Sequence, residues 1–166
     1  MTAEHVVLVA ALVSTALASG TFYGWQVSVI PGTRRVDDHA YVKTMQHINL
    51  RIINPGFLMP SLVTPVLLGA AALLAYRTGN TRRSASLAAA AVLYVVGMLG
   101  VTAGRNVPRN NSLAAVDLDA VSASELAAAR LAYERPWNRW HAVRTQAGVV
   151  AFAIAAAAPL VSTEEG

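Results

Sequence analysis

Lys43-Thr-Met-Gln-His-Ile-Asn-Leu-Arg-Ile-Ile-Asn-Pro55 is a polar segment set between two apolar runs, each long enough to cross a bilayer. At about 100° per residue, His47, Arg51 and Asn54 fall within one arc of a helix, while Met45, Ile48 and Ile52 occupy the opposite side. A helix here has two unlike faces. The spacing predicts an apolar face against lipid or neighbouring helices, with an imidazole, a guanidinium and an amide pointing together into an enclosed space.

The charges on either side of this segment are clumped. No Asp, Glu, Lys or Arg occurs from His5 to Thr33, from Ile52 to Tyr76, from Ser84 to Gly104 or from Thr145 to Thr163. Each run accommodates roughly the 20 residues that a helix needs to cross about 30 Å of hydrocarbon. With 55% hydrophobic and 13% charged residues, the 166-residue chain reads as one integral membrane domain over residues 1–166. The predicted fold is all-α: a four-transmembrane-helix bundle with short polar or amphipathic helices in the first and third loops, both on one face. The spans are placed at about 5–30, 56–76, 84–104 and 138–161. The last charge-free run is the shortest, so its helix is expected to begin earlier, near Pro136.

A net charge of +4 does not point to nucleic acid, because the basic residues sit in loops beside apolar spans. The chain has no cysteine, which excludes disulfides, a thiolate nucleophile and Cys-ligated metals. Met-Thr-Ala-Glu-His lacks the basic start of a signal peptide, and the first span is expected to be retained. The expected location is a bacterial plasma membrane. Arg34, Arg35, Lys43, Arg51, Arg105, Arg109, Arg130, Arg135 and Arg139 flank the first and third loops, against Arg77, Arg82 and Arg83 in the second. Counted simply, this puts the first-and-third-loop end in the cytoplasm, whereas the denser cluster of three Arg within seven residues argues for the second loop there.

Finer expectations follow along the chain. Gly20 and Gly24, four apart, predict close helix contact, and Tyr23 and Trp25 an interfacial belt. Pro31-Gly32 ends the first span and Asp38 caps the next helix. Pro60 and Pro65 are tolerated where neighbours satisfy the freed carbonyls. The third span ends in a loop over Thr102 to Asn111. Ser122-Ala-Ser-Glu125 opens a short helix that stops at Pro136, and Pro136 starts the last span.

In a four-span protein the first and third loops share one side, so the polar and aromatic residues collect at one end of the bundle. Trp137, Trp140, His141 and Arg144 recur at i, i+3, i+4 and i+7 and share a face, with Gly148 one turn deeper. An ionisable group at membrane depth costs a few kcal/mol or more unless paired or hydrated, so Arg144 is expected to face the interior. The competing reading is snorkelling to the headgroups. Thr102 and Asn106 add a hydroxyl and an amide, and Pro108 with Asn110 fixes the loop beyond; simple helix capping is the alternative.

His47 and His141 come from the two regions that topology joins, whereas His5 and His39 read as exposed. Each of the pair suits a general base, a metal ligand or a hydrogen-bonding core residue. An imidazole beside Arg51 and Arg144 stays unprotonated, as a base requires. Metal-ligand spacing is poor, with no carboxylate near either histidine, and copper or iron on His47 and His141 stays the lesser alternative. There is no phosphate loop, nucleophile elbow or CxxC, and no acidic residue in the spans to serve an ion path.

Met45-Gln46-His47-Ile48-Asn49 running into Asn54-Pro55, Val101-Thr102 followed by Asn106-Val107-Pro108-Arg109-Asn110 with Leu113, and Trp140 followed by Arg144 form an ordered set. With these residues the chain resembles the anthrone oxygenase-like family of small four-helix membrane proteins. The resemblance implies a four-helix bundle and a monooxygenase of secondary metabolism. Fungal members insert oxygen into an anthrone methylene to give an anthraquinone, without a known cofactor. It places His47, Arg51, Asn54, Asn106, Asn110, Trp140 and Arg144 at motif positions, whereas His141 stands where relatives often carry another polar residue.

The leading expectation is a membrane-embedded oxygenase-like enzyme acting on a flat, apolar, aromatic or polyketide-type metabolite that enters from the bilayer. His47 or His141 removes an acidic proton. Arg51, Arg144, Asn54 and Asn106 stabilise the enolate, Trp137 and Trp140 stack on the ring, and Thr102 and Asn110 complete the binding set. Molecular oxygen is the co-substrate and no other cofactor is required. A non-catalytic protein that binds lipid or quinone, or serves a partner as a subunit, is the alternative from another class.

Overall fold

A computed structural model describes residues 2–160. Its ordered elements are five helices: α1 (Ala3–Thr33), α2 (Asp38–Arg51), α3 (Pro55–Arg77), α4 (Thr81–Ala114) and α5 (Ala123–Leu160). All but α2 are long and apolar enough to cross a membrane. The expected end of the last span, Val161, lies outside the described residues. Around the bundle α1 packs on α3, α3 on α4, α4 on α5 and α5 back on α1, while α2 lies against α5 and the end of α4. The second loop is a three-residue turn in which Gly79, at φ 84°, takes the left-handed conformation that only glycine adopts freely.

The bundle is built with small residues inside and large ones outside. Ala11, Ala18, Ala71, Ala75, Ala90, Ala151 and Ala155 are buried in the core with Leu8, Leu68, Leu87 and Met98, whereas Val9, Val13, Leu17, Leu62, Val66, Val92 and Val96 are exposed. Lipid competes equally well for large apolar side chains, so helices in a bilayer associate through close packing of small residues and buried polar contacts. One such contact joins α1 to α3, where Ser14 Oγ lies 2.8 Å from Thr64 Oγ1 and donates to the Pro60 carbonyl at 2.9 Å.

Gly20 and Gly24 do not form the helix contact expected of them: both are exposed and a Cβ at either would meet nothing within 4 Å. The close approaches are elsewhere. A Cβ on Gly97 would lie 2.5 Å from Ala147 Cβ, and one on Gly148 2.9 Å from both Met98 Sδ and Ser19 Oγ. Gly97→Val is therefore expected to destabilise the bundle by about 1–3 kcal/mol through overpacking. Gly20→Val is expected to leave the melting temperature of the detergent-solubilised protein unchanged, and thermal denaturation of the two variants side by side checks this.

Four of the seven prolines, Pro31, Pro65, Pro108 and Pro136, are accommodated by three different devices. Pro65 leaves the Ser61 carbonyl without its helical N–H, and the buried Tyr94 Oη donates to it at 3.0 Å. Pro31 and Pro108 each follow a wide π-type turn, Trp25–Val29 and Thr102–Asn106, in which the N–H of Ile30 donates to the Trp25 carbonyl and that of Val107 to the Thr102 carbonyl. Widening the turn relieves the clash between a proline ring and the carbonyl four residues back. Both helices consequently run further than the sequence predicts, α1 to Thr33 and α4 to Ala114. The expected loop over residues 102–111 is helical.

Pro136 does not stop a helix either. The capping box at Ser122 and Glu125 forms as expected, but it opens one continuous helix, Ala123–Ala157, that carries Pro136 in its interior. Stacked rings bridge the proline on the inner face. Tyr133 stacks on Trp137 at 5.8 Å and Trp137 on His141 at 4.9 Å, so the i, i+4 contacts continue across the missing hydrogen bond.

At the end of the bundle, Ile30, Tyr41, Val42, Met45, Leu113, Leu126, Tyr133 and Trp137 form a second apolar cluster beneath α2. The cap of α2 is Asp37, one residue before the expected Asp38; its carboxylate accepts from the Ala40 N–H at 2.8 Å, which holds its pKa below the usual value. Asp38 is thereby free to accept from Arg130 at 3.0 Å. Arg130 also pairs with Glu134 at 2.9 Å and lies 4.4 Å over the Tyr41 ring, tying the first loop to α5.

Candidate functional site

Beneath α2 lies a cavity of about 360 Å³ to which all five helices contribute. The walls are Phe22 and Trp25 from α1, Ile48, Asn49 and Ile52 from the α2 segment, Phe57 from α3, Thr102 and Asn110 from α4, and Trp137 from α5. His141 and Arg144 form the polar end, and both are nearly sealed from solvent, at 1% and 6% exposure. Of the ten side chains predicted to form the site, this cavity gathers Thr102, Asn110, Trp137, His141 and Arg144.

Arg144 is held from three sides. Its Nε donates to His141 Nδ1 at 3.2 Å, its Nη2 lies 2.9 Å from the same nitrogen, and its Nη1 donates to Thr102 Oγ1 at 3.2 Å. Thr102 in turn donates to the Met98 carbonyl at 2.7 Å, which points its lone pairs at the guanidinium. The charge sits 4.3 Å over the Phe22 ring and 5.2 Å over Trp137. Among the described residues no carboxylate pairs with it.

These contacts assign the His141 tautomer. A guanidinium can only donate, so Nδ1 accepts. The Phe22 carbonyl, 3.1 Å from Nε2, can only accept, so Nε2 carries the proton. His141 is therefore a neutral imidazole with both nitrogens engaged. Its ring is stacked flat on Trp137, with 8° between planes, and meets Phe22 edge-on at 5.6 Å.

The indole of Trp137 is positioned as firmly. Its Nε1 donates to Asn110 Oδ1 at 2.7 Å, and Tyr133 Oη donates to the same oxygen at 3.1 Å while accepting from Asn49 Nδ2 at 3.2 Å. Gln46 Nε2 donates to the Leu113 and Val116 carbonyls, both at 2.9 Å, satisfying groups at the end of α4 and locking α2 over the cavity. Asn49, Gln46, Tyr133 and Phe22 were not among the predicted site residues. The signal for the first two lay in the stripe Val42, Met45, Gln46, Asn49 and Ile52, spaced i, i+3, i+4, i+7 and i+10.

The other five predicted residues lie outside the cavity. His47, Arg51 and Asn54 are exposed, so the face of α2 that carries them turns outward and the apolar face turns in, the reverse of the expected orientation. Arg51 and Arg144 do not meet, and His47 and His141 do not share a site as a metal pair requires. The reason is that α2 sits at the end of the bundle, where polar groups gain hydration by facing out and apolar ones gain burial by facing in. Asn54 caps α3 instead, accepting from the Phe57 N–H at 3.2 Å and donating to the Arg51 carbonyl at 2.8 Å. Asn106 is fully buried behind the Trp137 wall, with Nδ2 donating to the Trp137 carbonyl at 3.2 Å. Trp140 is half-buried beneath Arg105, 4.8 Å from its guanidinium.

No curated protein and no solved structure matches this chain. Residues 54–154, more than half of the sequence, match the family model described as anthrone oxygenase. The matched region runs from the cap of α3 into the last turns of α5 and includes the Thr102, Asn110, Trp137, His141 and Arg144 side of the cavity. With four spans around that cavity, this integral membrane protein belongs to the anthrone oxygenase family.

Proposed function

We propose that the protein is an oxygenase-like enzyme of a bacterial plasma membrane that oxidises a hydrophobic, polycyclic, acidic methylene compound of the anthrone or polyketide type. The observation that carries this reading is Arg144, a buried guanidinium with no carboxylate partner among the described residues, set among aromatic faces at the end of an apolar cavity. Burying an ion costs several kcal/mol even after relaxation, and a cation–π contact returns only about 1–2 kcal/mol. Such a site gains most from a flat ligand that becomes an anion in place.

In this mechanism the substrate carbonyl approaches Arg144 and draws the guanidinium off His141 Nδ1. The freed lone pair takes one methylene proton, and Arg144, oriented by its bond to Thr102 Oγ1, holds the enolate oxygen. The carbanion reduces O2 and combines with it to give a peroxide anion, which takes back the proton held at His141 Nδ1 to become a hydroperoxide and then loses water. In sum the CH2 and O2 become C=O and H2O, one oxygen atom going to each product. No cofactor besides O2 enters the balance. Trp137 and Phe22 stack on the substrate ring, and Asn110 fixes Trp137.

The test is O2 uptake and quinone formation when membranes containing the protein are supplied with a hydroxylated anthrone. His141→Ala is expected to lower turnover by roughly 10²- to 10⁴-fold, the usual contribution of a positioned base. Full turnover in His141→Ala overturns the base assignment. A second reading, non-catalytic binding of a quinone, is favoured by the engagement of both His141 nitrogens. It predicts saturable quinone binding without O2 uptake for any anthrone offered.

A further inference from the structure

A second recess lies outside the bundle, at the same end as the cavity. It is an open groove of about 560 Å³ between the end of α1 and the outer face of α5. On α5 its lining recurs at 131, 134, 135, 138, 139 and 142, a stripe about 16 Å long at 1.5 Å per residue. Arg135 and Arg139 come from this stripe and Arg34 from the turn after α1.

Three guanidiniums therefore face one groove, and among the described residues none of them meets a carboxylate. The single acidic side chain there, Glu134, already accepts from Arg130 Nε at 2.9 Å. Gln26, in the wide turn of α1, also lines the groove, and its buried Oε1 has no donor among the described residues. The groove thus offers positive charge for an anion together with an acceptor and the Asn138 amide for hydroxyls.

Toward the bundle middle its surroundings are largely apolar, with the exposed Gln146 the polar exception on α5. One turn deeper on α1 is the exposed Tyr23, and about one and about three turns deeper than Arg139 on α5 are the exposed Val143 and Val150. A charged recess that continues into a lipid-facing apolar track matches an amphiphile with an anionic head.

We propose that this groove is a binding site for an anionic glycerophospholipid with a hydroxylated headgroup, of the phosphatidylglycerol type. Arg34, Arg135 and Arg139 hold the phosphodiester, Gln26 Oε1 accepts from a headgroup hydroxyl, and one acyl chain follows Val143 and Val150. The site is separate from the cavity and does not depend on its chemistry.

Native mass spectrometry of the full chain in detergent, with equal phosphatidylglycerol and phosphatidylcholine, tests this. Wild type is expected to retain one phosphatidylglycerol in preference. Arg135→Gln/Arg139→Gln is expected to lose on the order of 30-fold in that preference, roughly fivefold for each arginine at an anionic surface. Arg135→Lys/Arg139→Lys is expected to keep most of it, which separates lost charge from misfolding. Arg77→Gln/Arg82→Gln, at the opposite end, is expected to change nothing. Equal retention of the two lipids, or equal losses in the two glutamine pairs, overturns the proposal in favour of no site or diffuse attraction. Displacement of the lipid by millimolar inorganic phosphate overturns it in favour of a free-anion site. Gln26→Leu is expected to reduce the preference for phosphatidylglycerol over phosphatidic acid; an unchanged ratio removes the hydroxyl from the recognition.

Discussion

Replacing Arg144 by methionine is expected to abolish oxidation while leaving the bundle folded. Loss of a donor aimed at a developing oxyanion costs about 10²- to 10³-fold in turnover. Stability responds differently. Exchanging a buried charge for an apolar side chain of similar length is often neutral or stabilising, by about 1–4 kcal/mol when an ion pair is replaced. Against that stands the lone pair of His141 Nδ1, which loses both of its Arg144 contacts, at a cost of about 1–3 kcal/mol. The two effects nearly offset. O2-uptake rates and melting temperatures measured on the same preparations decide the matter. A variant that loses stability and activity together would mean that Arg144 is chiefly a structural residue, whereas retained turnover would remove it from the chemistry.

Trp137→Ala is expected to give the largest loss of stability, about 3–5 kcal/mol, the range for emptying a buried aromatic site. The indole is almost fully buried, stacks on Tyr133 and His141 and donates to Asn110. It also bridges Pro136, so its removal weakens α5 where the backbone already lacks a hydrogen bond. Trp137→Phe keeps the stack and loses the N–H, for about 1–2 kcal/mol. Denaturant titration of the three proteins in one detergent measures both steps. Similar losses for Ala and Phe would place the stabilisation in the Asn110 hydrogen bond and not in the stack.

Several features of the site were legible in the residue order. The i, i+3, i+4, i+7 spacing of Trp137, Trp140, His141 and Arg144 predicted one face, and three of these four do line the cavity. Trp140 stands at the edge of that arc and its indole goes under Arg105 instead. Asn110 and Thr102 were readable as polar groups of the third region, although the loop expected to carry them is helix. The α2 segment misled because its faces were assigned as if it lay in lipid. Periodicity shows that two faces differ, not which of them faces inward.

The four crossings, the shared end of the first and third loops and the polar end of α5 follow from the amino-acid order alone. A bilayer penalises each polar group according to its depth, so a linear scan of charge reads them directly. The orientation of α2, the continuity of α4 and α5 through Pro108 and Pro136, the neutral tautomer of His141 and the recruitment of Gln46 and Asn49 were decided only in the tertiary structure. Each depends on a partner distant in sequence: the carbonyls of Leu113 and Val116 for Gln46, Tyr133 for Asn49, the Phe22 carbonyl for His141. A hydrogen bond between two helices is a property of their packing, and spacing along one of them does not contain it.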